Sequence, residues 1–230
     1  MSGGSVARAS TPTHRVPVPT GSIERHTSVA RNHLTMGDAE QTPLWRDAAE
    51  TVGTVLLIGA VLFAVSGVWP PMVAVESGSM EPHMSKGDLV FVTAADRYAG
   101  PAATDGGVVT RDASTGYERF GMRGDVVVFA PPDRGGSPII HRAMFHVDAG
   151  ENWYAEANQS ALPAGVDSCA ELANCPSPHA GYITKGDANP TYDQAVRRAP
   201  PVRDEWIRSK AEFGAPYLGC VRLAATGAGC

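Results

Sequence analysis

Ser79, His141, Asp187 and Asp193 are the residues of this chain whose types could act together in chemistry. They stand in three short islands. The first reads Ser77-Gly78-Ser79-Met80-Glu81-Pro82, followed by Lys86-Gly87-Asp88-Leu89-Val90. The second runs from Gly124-Asp125 through Val126-Val127-Val128-Phe129 to Ile140-His141-Arg142. The third is Thr184-Lys185-Gly186-Asp187-Ala188-Asn189-Pro190, with Asp193 close behind. Acyl transfer asks for these groups: a hydroxyl nucleophile, an imidazole to take its proton, and a carboxylate to fix the imidazole tautomer.

Scattered Ser, His and Asp occur in most domains of this size, so order and spacing carry the case. The islands resemble the type I signal peptidases, in the archaeal and endoplasmic-reticulum branch, over roughly residues 50–223. Bacterial relatives use a Lys base; in this branch a His takes that place, and the chain has His141 there. The resemblance implies Ser79 as nucleophile, His141 as general base and Asp193 as the acid that orients it. Asp187 becomes a supporting hydrogen-bond or turn residue. The box usually reads Gly-Asp-Asn-Asn or similar, and Ala188 departs from it, so the exchange of roles between Asp187 and Asp193 stays open. Ser77 is the oxyanion candidate, with a plain turn hydroxyl as the equal alternative. Pro216-Tyr217-Leu218-Gly219 and Val221-Arg222 are similar to the family's closing strand.

Other constellations fall short. A calcium loop over Asp187, Asn189 and Asp193 would need an acceptor, Gly and Glu where Thr191, Tyr192 and Arg198 stand. His83, His146 and His179 lack a box and read as surface or loop residues. Cys169 and Cys175 bracket a small loop that suits a disulfide in an oxidising compartment, or two free thiols. With His179 they make an incomplete tetrahedral metal set, so neither metal nor cofactor is expected. Cys220 and Cys230 carry no signal.

Positioning falls to a span and a β domain. Thr51–Val75 holds no charge, and the run from Val52 to Trp69 is dense in Val, Leu, Ile, Ala and Phe before Pro70-Pro71. A helix over about residues 50–69 reaches roughly 30 Å, one hydrocarbon core. Signal peptides have shorter apolar regions, and a core helix would show a polar face; a membrane span fits better. Arg46 is the basic residue nearest the span on its N-terminal side and Lys86 the next beyond it, which leans the N-terminus toward the cytoplasm. Beyond residue 72 short apolar runs with period two predict strands at 73–75, 88–93, 125–130, 139–147, 153–157 and 181–184. A short helix is expected near Arg203–Phe213, and Gly-, Ala-, Pro- and Ser-rich inserts at 97–121 and 158–180.

The expected division is a polar, disordered tail at 1–49, a transmembrane helix at 50–71 and a β-rich peptidase domain at 72–230. Met36 opens a more typical short lead and is the expected start of translation. The fold class is mostly β, a signal-peptidase-like catalytic domain with one N-terminal transmembrane helix. A net charge of −5 with scattered basic residues argues against nucleic acid as a partner. The implied function is a membrane-bound serine endopeptidase that removes signal peptides from exported preproteins. Its implied partners are those signal peptides and membrane lipid, with the secretion translocon left open. The implied place is the cell membrane, single-pass, with the catalytic domain on the outer face. An inactive membrane-anchored binding module and a self-cleaving serine protease compete with this reading. The first would not need Ser79, His141 and Asp193 together, and the second uses Lys and lacks a span.

Overall fold

A computed structural model describes residues 44–132, 134–227 and 229–230. Most of the expected tail, Met36 included, lies outside them. The chain opens on α1 (Leu44–Ser66), a helix of 23 residues, long and apolar enough to cross a membrane. It starts earlier than expected because Asp47 favours a first turn. Thr51 and Thr54 return their hydroxyls to the carbonyls of Asp47 and Glu50, so their polarity is met within the helix. It ends at Ser66, ahead of the expected Trp69, because Gly67 takes a left-handed turn at φ 76° and two prolines follow.

Beyond the prolines, six strands among the described residues make one antiparallel sheet. They are β1 (Met72–Ala74), β2 (Leu89–Thr93), β5 (Val126–Phe129), β6 (Ile139–Val147), β7 (Gly181–Lys185) and β8 (Ile207–Ala215), in the order β1-β2-β8-β5-β6-β7. A separate hairpin pairs β3 (Glu118–Arg119) with β4 (Met122–Arg123). Phe120 and Gly121 close it, both at positive φ, inside a stretch expected to be loop. The molecule is therefore mostly β with one N-terminal apolar helix.

Strand β5 shows how the core divides. Its four residues are all buried; Val126 and Val128 join Met80, Met84 and Val90, whereas Val127 and Phe129 join Tyr182 and Val202. Alternation along one strand thus serves two apolar clusters. A third cluster gathers Phe145, Ile183 and Tyr192 with Trp153 and Leu172 of the segment between β6 and β7.

Three expectations are corrected. Residues 153–157 form turns, not a strand: the amide of Ala157 donates to the carbonyl of Trp153, and this four-residue spacing turns both into one core. The helix near Arg203–Phe213 is a short 3-10 turn, Asp204–Trp206, followed by β8. β8 lies between β2 and β5, and strand pairing on both edges outweighs local propensity. The stretch 216–222 is a turn entering a short helix, α2 (Cys220–Ala225), so the closing strand lies upstream in β8.

Candidate active site

Ser79 sits in a turn just beyond β1. Met80 and Met84 anchor that turn by burying their side chains against Val75, Val90 and Val126. The amides of His83 and Met84 both donate to the Met80 carbonyl, which tightens the turn. His141 is the third residue of β6, opposite Val127 of β5, and is buried. Asp193 follows β7 by a short loop and is fully buried, its amide donating to the Thr184 carbonyl.

The three side chains meet in one line. His141 Nε2 lies 3.0 Å from Ser79 Oγ, and His141 Nδ1 lies 2.5 Å from Asp193 Oδ2. The carboxylate favours the tautomer with the proton on Nδ1, which leaves Nε2 free to accept from the serine hydroxyl. Thr184 donates a second hydrogen bond to Asp193 Oδ2 at 2.8 Å. Arg198 Nε stands 3.5 Å from Asp193 Oδ1, at ion-pair distance without a hydrogen bond. Ser77 Oγ is exposed, 3.3 Å from Ser79 Oγ, on the nucleophile's own turn.

Asp187 does something other than satisfy its own turn. Its carboxylate takes two hydrogen bonds from fully buried Arg142, Nε at 2.9 Å and Nη2 at 2.7 Å. Arg142 also donates to the carbonyls of Gly124 and Arg119. His83, expected to be a surface or loop residue, lies in the serine turn and places Nδ1 3.1 Å from Asp187 Oδ2. Asp187 thus joins the serine turn to β6, and through Arg142 to the β3–β4 hairpin, and does not touch His141 in the manner of Asp193.

Gly186 fixes the approach of these loops. A Cβ there would stand 2.6 Å from the Ser79 carbonyl and 2.9 Å from His141 Nε2. The Ala188 amide donates to that same Ser79 carbonyl at 3.0 Å. Serine turn and Gly-Asp loop are therefore held backbone to backbone, at a distance that only glycine allows.

A cleft of about 580 Å³ opens over Ser79 and His141. Val73, Val75, Met80, Val128 and Ile140 supply its apolar lining, and Arg134 and Arg198 stand at its margin. Among the described residues the other buried cation, Lys210, is committed elsewhere. It donates to the Gly107 carbonyl at 2.7 Å and lies 3.5 Å from Asp125. His179 packs edge-on against Trp206, away from the relay, and Cys169–Cys175 and Cys220–Cys230 are both disulfides.

Sequence reading alone missed Thr184, Arg142, His83 and Gly186 as parts of this cluster. Arg142, Thr184 and Gly186 stand within the recognised boxes and His83 directly after Pro82, without an assigned role. Their partners, however, are up to about a hundred residues away, which no local pattern reports.

The arrangement defines a class: a Ser–His–Asp relay beside an apolar cleft, on a β domain carried by an apolar helix. Residues 47–144 match the family model described as signal peptidase, peptidase S26. That span takes in most of α1, Ser79 and His141 and stops before Asp187 and Asp193. The chain is also 27% identical over 181 residues to the Signal peptidase complex catalytic subunit SEC11 of Schizophyllum commune, covering 76% of this chain and 75% of that protein. The chain is thus similar to signal peptidases of the S26 family over residues 47–144, and to a signal peptidase catalytic subunit over about three quarters of its length.

Proposed function

We propose that this chain is a membrane-bound serine endopeptidase that cleaves signal peptides from exported preproteins. The observation that carries this reading is the unbroken line Ser79 Oγ–His141 Nε2–Asp193 Oδ2 beside the cleft. His141 takes the hydroxyl proton as Ser79 Oγ attacks the scissile carbonyl, and Asp193 stabilises the imidazolium that forms. The imidazolium then protonates the leaving amine of the mature protein. Water, deprotonated by the same imidazole, hydrolyses the acyl-enzyme and frees the signal peptide. In this reading Ser77, whose Oγ is 3.3 Å from Ser79 Oγ, donates to the developing oxyanion, a contact worth roughly 3 kcal/mol in other serine hydrolases.

Edge strand β1 supports an extended substrate adding alongside Val73–Val75. Helix α1 serves as the anchor, with the N-terminus cytoplasmic and the β domain on the outer face. Ser79 then lies close to the lipid surface where a cleavage site emerges, which raises the local concentration of substrate. The secretion translocon would be a neighbour there. The test is cleavage of a preprotein by membranes carrying wild type or Ser79→Ala. Wild type releases the mature protein and Ser79→Ala leaves it uncut; equal turnover by both would overturn the reading.

A further inference from the structure

The Cys169–Cys175 loop lies outside the cleft, yet a chain of hydrogen bonds joins it to Asp193. Asn174, within that loop, adopts φ 57° and is gripped on two sides. Its carbonyl accepts from Trp153 Nε1 at 2.7 Å, and its Nδ2 donates to the Gln194 carbonyl at 2.8 Å. Gln194 is fully buried and turns its amide group back on β7. Oε1 accepts from the Thr184 amide at 2.8 Å, while Nε2 donates to Thr184 Oγ1 and to the Pro200 carbonyl, both at 3.2 Å.

The direction of each bond matters. A hydroxyl has one proton, and Gln194 Nε2 already donates to Thr184 Oγ1. The Thr184 proton is therefore left for Asp193 Oδ2, the same oxygen that faces His141. We propose that Thr184, Gln194 and Asn174 are positioning residues for Asp193, and that the Cys169–Cys175 crosslink holds the outermost of them in place. The proposal rests on reading Asp193 as the acid of the relay. A carboxylate held this way presents one oxygen to His141 Nδ1 in a single orientation. Loosening any link lets Asp193 rotate and His141 lose its tautomer.

The experiment compares Thr184→Val, Thr184→Ser, Gln194→Met, Asn174→Gly and Cys169→Ser/Cys175→Ser in the full chain. Asn174→Gly keeps the left-handed backbone while deleting the amide group. The readouts are kcat and KM on a preprotein, and the low-field proton NMR signal of His141 Nδ1–H. The expected result is a fall in kcat of about tenfold or more for all but Thr184→Ser, with KM within about twofold. The low-field signal should shift or broaden in the same variants. Thr184→Ser restores the donor and should recover both readouts, and Cys220→Ser/Cys230→Ser should leave both as in wild type. Near-normal kcat together with an unmoved signal in Asn174→Gly and the Cys169 pair would overturn the proposal, even if Gln194→Met fails to fold. Should wild type itself cut no preprotein while the signal still moves as described, the peptidase reading fails and the positioning network stands.

Discussion

Arg142 has no exposed surface, and Asp187 is what lets its charge remain there. Deleting one member of a buried pair leaves an uncompensated ion, at a cost of about 3–5 kcal/mol. Asp187→Ala should therefore unfold at a markedly lower temperature, by roughly 10 °C for a domain of this size. Asp193→Ala removes the group that orients His141 instead. It should melt much closer to wild type and lose nearly all turnover. Thermal melting read beside initial cleavage rate separates the two; a fully folded, inactive Asp187→Ala with an active Asp193→Ala would exchange the roles. At this scale Ser79 and His141 were legible because each sits in a box of contiguous residues. The partnership of Arg142 with Asp187 was not, since 45 residues separate an ion pair that only the fold brings together.

Strand β8 shows the limit of legibility at the scale of elements. A short helix is the sequence expectation here, and its Ser209-Lys210-Ala211 centre has no apolar alternation to mark a strand. The sheet overrides that preference because Lys210 finds Gly107 and Asp125 inside the core. Asp125 in turn accepts from Tyr117 at 2.7 Å, and from the Val109 amide. Burial first, and then the bond to Asp125, hold the Tyr117 phenol well above its ordinary value. Burial does the same for Tyr182, which bonds Asp204. Unfolded tyrosines ionise near pH 10, while these two keep their protons in the folded state. The folded form then binds more protons than the unfolded one, so stability is fully present below about pH 10 and falls as pH rises beyond it. Denaturant melts across alkaline pH should show this decline, and Tyr117→Phe should flatten it. An unchanged slope in that variant would remove Tyr117 from the account.

Across the whole molecule, the end of α1 is fastened to the β domain. Ser66 Oγ donates to the Val92 carbonyl at 2.7 Å, and Arg97 caps the carbonyls of Ala64 and Val65. On the proposed topology, protease added to intact spheroplasts should digest residues beyond 76 and spare the helix. Full protection, or a soluble form beginning near residue 70, would refute it. The uncharged run made the helix legible, and its bounds shifted only where Asp47 and Gly67 act. The docking of helix on sheet was hidden, because it rests on single polar contacts between residues about 30 apart.

The outer edge of β1 has a consequence for self-association. An edge strand that accepts one extended peptide would accept another copy of the chain equally well. Here the edge is only three residues long, and Arg222 already donates to the Met72 carbonyl at 3.2 Å. Exposed Glu76 follows, a charge that a second strand would have to bury. The opening is thus long enough for a transient guest and too short and too charged to template a fibril.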